Sequence, residues 1–121
     1  MLRKFTQTFI IPGTLAANHT FQWKVPSGCQ LVHASLCNTS ANAGSAKVGT
    51  TTDDDAYLAA EDFGISSAPA EVAAMAGFDG ATAAGQWPAI PDGTIMQLTV
   101  TDHASHMANV CVVLTFVEGG V

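Results

Sequence analysis

The run Asn109-Val110-Cys111-Val112-Val113-Leu114-Thr115-Phe116-Val117 limits the fold more than any other stretch of this chain. Val110, Val112, Leu114 and Phe116 recur at the two-residue period of a strand, and the positions between them are largely apolar as well. β-branched residues at this density favour extended backbone over helix. A strand that is apolar on both sides belongs in the middle of a sheet, so the rest of the chain must supply its neighbours.

Candidate neighbours follow in order. Residues 5–11 alternate, with Phe5, Phe9 and Ile11 on one side, until Pro12-Gly13 ends the run. Residues 19–25 alternate again with Phe21, Trp23 and Val25 inward, and Pro26-Ser27-Gly28 turns the chain. Residues 29–38 predict a third strand, with Val32, Ala34 and Leu36 opposite Leu31, His33 and Cys37; apolar residues on both faces predict cover on two sides. A small-residue loop leads to a short strand at residues 46–49. The turn Ile90-Pro91-Asp92-Gly93 precedes a strand in which Met96, Leu98 and Val100 share a face.

Between these runs lies Lys47-Val48-Gly49-Thr50-Thr51-Thr52-Asp53-Asp54-Asp55-Ala56-Tyr57-Leu58. Thr52 suits a helix N-cap, and three aspartates suit the positive end of a helix dipole. Ala56, Ala59, Ala60 and Phe63 then fall on one helical face, and Gly64 suits the position past the end. The pattern predicts a short helix near residues 53–62. A calcium site is the sharper alternative, but an EF-hand loop alternates its acids and places Gly at the sixth position, and this run does neither. Residues 65–88 are rich in Ala, Gly and Ser and carry the weakest pattern, compatible with a helix or with a short strand near Val72. Together these signals predict an all-β chain: one antiparallel β-sandwich domain over residues 1–121, of jelly-roll topology, with the one short helix.

Charge is unevenly spread along the sequence. All four Lys/Arg lie at or before Lys47, and all ten Asp/Glu lie from Asp53 to Glu118. A net charge of -6 repels phosphate backbones and argues against nucleic-acid binding. The basic start, Arg3 and Lys4, is a candidate contact for an acidic neighbour, including another copy of the chain. Three cysteines, Cys29, Cys37 and Cys111, form no C-x-x-C pair, and two lie in apolar runs, which suits folding in a reducing compartment. No secretory leader and no bilayer-spanning window is expected.

Enzymatic motifs are sparse. There is no nucleophile elbow, phosphate loop or dinucleotide fingerprint, and the reading is of a non-enzymatic protein with no catalytic residue, cofactor or metal. His103-x-x-His106 beside Asp102 is the closest approach to a zinc motif, yet further ligands would have to come from distant positions such as His19 or Asp92. A Cys37–His33 nucleophile pair lacks a thiolate-stabilising setting. Trp87, ahead of Pro88, is the one aromatic free to stack on a sugar, and it defines the alternative of a carbohydrate-binding tail or fibre module. Mean hydropathy is positive and only 12% of residues are charged, so part of the surface is expected to be buried against a partner.

The order of the Lys47 to Leu58 stretch, Ile90-Pro91-Asp92-Gly93 before an Ile-x-Leu-x-Val-like strand, and a Val-rich final strand ending in Phe116-Val117 resembles small structural proteins of tailed bacteriophages, in particular jelly-roll capsid decoration, or cement, proteins. The resemblance spans roughly residues 46–117, and residues 66–85 have no clear counterpart in it. It implies a virion protein on the capsid surface, folded in the host cytoplasm, that binds the major capsid protein lattice as a homotrimer and needs no catalytic residue. Arg3, Lys4 and Phe5, at the start of the first strand, are the candidate interface on grounds of charge and position.

Overall fold

The computed structural model describes residues 3–66, 68–80 and 85–119. They form β1 (Lys4–Thr14), β2 (His19–Lys24), β3 (Cys29–Cys37), β4 (Ser45–Thr50), β5 (Leu58–Asp62), β6 (Ala70–Val72), β7 (Ala89–Ile90), β8 (Ile95–Thr101) and β9 (Ala108–Glu118), with a 3-10 turn at Met75–Gly77. One antiparallel sheet has the order β1-β9-β3-β6, with β7 also on β3, and the other has β2-β8-β4-β5. The fold is an all-β sandwich, as the alternation predicts.

β9 holds the central place that its composition demands, between β1 and β3. Val110, Val112, Leu114 and Phe116 point inward and are almost fully buried against Met96, Leu98 and Val100 of the facing sheet. Phe116 lies opposite Phe5 on one side and Leu31 on the other, and the Phe5 ring stacks on it at 5.2 Å. Each side chain of this size removed from water contributes roughly 1.5–3 kcal/mol, so the inner row of β9 is a main source of cohesion.

β3 departs from the expected phase. Register shifts between Leu31 and His33, leaving Val32 as a bulge, so Leu31 joins Ala34 and Leu36 in the interior instead of facing the other way. Its second face is only partly covered by the described residues: Val32, His33, Ser35 and Cys37 are half-buried. β1 continues past Pro12-Gly13, which a strand at the sheet edge tolerates; register shifts between Ile11 and Thr14, and Gly13 adopts a φ of 76°.

The helix expected near residues 53–62 is absent. Residues 51–57 form a turn, and Leu58–Asp62 are strand β5, paired with β4. Thr50, not Thr52, organises the turn: its Oγ1 accepts from the Asp53 amide at 3.1 Å, while the Asp53 carbonyl accepts from the Thr50 and Ala56 amides. The Tyr57 amide then donates to the Val48 carbonyl, closing a hairpin. Two turns of isolated helix are marginal in water, whereas pairing satisfies the edge of β4 and buries Leu58 and Phe63. Gly49 is required here, because a Cβ at that position would collide with the Asp53 carbonyl.

The Ala-rich segment resolves into two parts. Ala34 and Leu36 of β3 face Val72 and Ala70 of β6, and Cys29 and Gln30 face Ile90 and Ala89 of β7, in the same antiparallel sense. β6 and β7 thus fill one strand position, interrupted by an excursion whose described residues are 73–80 and 85–88. That excursion returns Phe78 to the core and docks Asp79 on the Tyr57 carbonyl at 3.0 Å.

The sandwich has two unlike flanks. On one, β1 meets β2 through Phe9, whose ring lies 5.0 Å from Phe21 and 4.9 Å from Trp23. On the other, the chain after β5 crosses to the first sheet, where the Gly64 amide donates to the Leu36 carbonyl at 2.9 Å, and β6 follows.

Candidate functional site

The three interface residues expected at the chain start take different roles. Arg3 is tied back: its guanidinium reaches Glu118 Oε2 at 2.8 Å, and that oxygen also accepts from the Ser27 hydroxyl at 2.9 Å. The hydrogen bond from Ser27, with help from Arg3, holds the Glu118 carboxyl below the usual carboxylate range. Phe5 faces inward on Phe116, so it is a packing residue. Lys4 is exposed on the edge strand, with no ion pair among the described residues.

Trp87 is half-buried, and its ring leans on Phe78 with centroids 5.5 Å apart. One side of the indole is therefore committed to the interior, which leaves it a partial stacking surface. Trp23 packs between β1 and β2 as expected, and its buried Nε1–H has no acceptor among the described residues. The described residues enclose no pocket.

Asp53, Asp54 and Asp55 crowd at the tip of the β4–β5 turn, with carboxylate oxygens within 4.8 Å of one another. A hydrogen bond shared with Asp55, together with slight burial and the Asp55 charge, raises the Asp53 pKa. Lys47 Nζ offsets part of this charge through Asp54 Oδ2 at 2.9 Å. Three carboxylates, of which Asp54 is half-buried, fall short of the six to eight oxygens that calcium prefers. The geometry is that of a concentrated negative patch.

The histidine pair is a loop clasp. Asp102 Oδ1 accepts from the amides of His103 and Met107, both at 2.8 Å, and Oδ2 lies 2.7 Å from His106 Nδ1. His103 Nδ1 accepts from the Ser105 amide at 2.9 Å, which puts its proton on Nε2. His106 adopts a φ of 67°, which the Asp102 contact helps hold. Burial works to raise the Asp102 pKa, but the hydrogen bonds from His106, Met107 and His103 outweigh it and lower the pKa. Neither His19 nor Asp92 joins the two imidazoles in a ligand group; among the described residues only Asp53–Asp55 gather three potential ligands.

Cys37 and His33 do not pair either. His33 Nε2 meets Glu71 Oε2 at 2.9 Å, and the Cys37 thiol lies 3.6 Å from Ser35 Oγ. Cys37 sits directly opposite Cys111 on β9, while Cys29 is buried and its thiol is pushed up to about 11 by burial and the Glu118 charge.

Sequence reasoning missed the chemistry of the flanks. Ile10, Ile65, Met75 and Ile95 are the exposed large apolar side chains among the described residues, and each sits on or next to one flank. Alternation marks a residue as outward, but it does not say which outward residues share an edge. No protein-family model matches the chain, and no curated protein matches it in sequence.

Proposed function

We propose that this chain is a virion structural protein of the capsid-decoration type, which binds the major capsid protein lattice as a homo-oligomer, with a trimer the expected form, and stabilises the head. The observation that carries the reading is the strand order. Strands from the two ends of the chain pair in succession, β1 with β9, β2 with β8, β3 with β6 and β7, and β4 with β5. Pairing of that kind supports a jelly-roll reading of the sandwich, the architecture expected of the resembled proteins. Its exposed apolar side chains lie on the outside, where a lattice partner would meet them.

On this reading the protein folds in the host cytoplasm, resides on the capsid surface and performs no reaction. The test is addition of the purified protein to capsids that lack it. Saturable cosedimentation and increased resistance of the heads to heat or low salt are expected; an absence of binding would falsify the proposal. The carbohydrate reading has less support, because Trp87 gives part of its ring to Phe78. Glycan binding that is lost in Trp87→Ala would favour it instead.

A further inference from the structure

The topology converts a polarity along the chain into a polarity across the molecule. β1 and β2 share one flank, which carries Lys4, Lys24 and Arg3, the last held by Glu118, with Asp92 on the turn beside Lys24, so the flank keeps a net positive charge. Of these, Lys4 and Lys24 are exposed and have no ion pair among the described residues. β5, β6 and the loops beside them share the opposite flank, with Asp53, Asp54, Asp55, Glu61, Asp62 and Glu71. Lys47 is the one lysine near these acids.

The apolar knobs divide in the same way. Ile10, on β1, and Ile95, opposite Lys24 in the β2–β8 register, go with the lysines. Ile65, just past β5, and Met75, just past β6, go with the acids. Among the described residues the long strand β1 also leaves one edge without a strand partner, as does β5, and such edges favour pairing with another chain.

We propose that these flanks are the two halves of one interface between copies of this chain: the β1/β2 flank of one copy docks on the β5/β6 flank of the next. Opposite charge steers and orients the encounter, and Ile10 and Ile95, which stand on the outer faces of the two sheets, add apolar contact at its margins. The two halves are different surfaces, so the contact is head-to-tail and closes into a ring or extends as a filament. This deepens the oligomer reading given above, and rests on it only in expecting a closed ring of few copies.

Sedimentation and light scattering of three proteins test it: the wild type, Lys4→Glu/Lys24→Glu, and Asp53→Lys/Asp55→Lys/Asp62→Lys. The substituted side chains are all exposed, and circular dichroism with thermal melting checks that each variant keeps the fold. The wild type should be oligomeric, and weaker at high salt because surface charge is screened. Each variant alone should associate at least about tenfold more weakly. An equimolar mixture of the two variants should reassociate, because each then meets a flank of opposite sign. A wild type that stays monomeric, variants that assemble like the wild type, or a mixture that stays dissociated would each overturn the interface. Self-association is read without capsids, so the two proposals fail separately. An oligomer of this kind that never adds to capsids defeats the decoration reading alone, and a monomer that adds to them defeats the flank interface and the homo-oligomer, but leaves capsid binding standing.

Discussion

Asp102 fixes the connection between β8 and β9 by accepting from two amides and facing the His106 ring. Its carboxyl titrates below its ordinary value of 3.8 in the folded protein. A depressed pKa adds stability that is present above the unfolded value and is lost as pH falls through the folded one. Acid titration of unfolding should therefore show wild-type stability declining below about pH 4, with a smaller decline in Asp102→Asn. At neutral pH that variant should be less stable by about 1–3 kcal/mol in urea unfolding, from weakened hydrogen bonds to a nearly buried group. Thiol chemistry gives a second check. With its pKa near 11 and its side chain buried, Cys29 should resist a thiol reagent at pH 8 until the protein unfolds, while half-buried Cys37 and Cys111 react in the native state. Equal labelling of all three would contradict the burial pattern. The spacing of His103 and His106 was visible in the sequence, but the acceptor that organises them was not, because hydrogen-bond partners depend on distances that a one-dimensional pattern does not contain.

Strand β5 shows how local signals lose to pairing. Thr52 and three aspartates resemble a helix start, and Ala59 and Ala60 are good helix formers, yet the segment pairs with β4. The energetic reason is that a short helix would have left β4 without that neighbour and Leu58 and Phe63 without their buried sites. A substitution separates the two states. Ala59 is exposed, so Ala59→Thr should be neutral or stabilising by up to about 1 kcal/mol in a strand, and destabilising by some tenths in a helix. Urea denaturation reads the sign. Strands β1, β2, β8 and β9 were legible because each alternates over several residues without interruption. The phase of β3 was not, since a bulge at Val32 adds one residue that alternation cannot anticipate. β6 and β7 were obscure for a related reason: each is too short to show a period, and they become one strand position only when β3 brings them into line.

At the scale of the molecule, the segregation of Lys/Arg and Asp/Glu along the chain was plain in the sequence, but its spatial meaning required the strand order. β9 joins β1 to β3, so the first sheet depends on it. Removal of residues 108–118 should abolish cooperative thermal unfolding altogether, whereas Phe116→Ala should keep it with a loss of about 3–5 kcal/mol. The same central position governs the order in which the fold can appear. A ribosome makes β1 and β3 well before β9, so both strands emerge without the neighbour that lies between them. Only when β9 arrives can the sheet assemble, through contacts between distant parts of the chain that place refolding in the slow range of milliseconds to seconds. Until then the free edge of β1 and the unpaired β3 are open to other chains. For this protein, the interval before β9 emerges is when aggregation competes most strongly with folding.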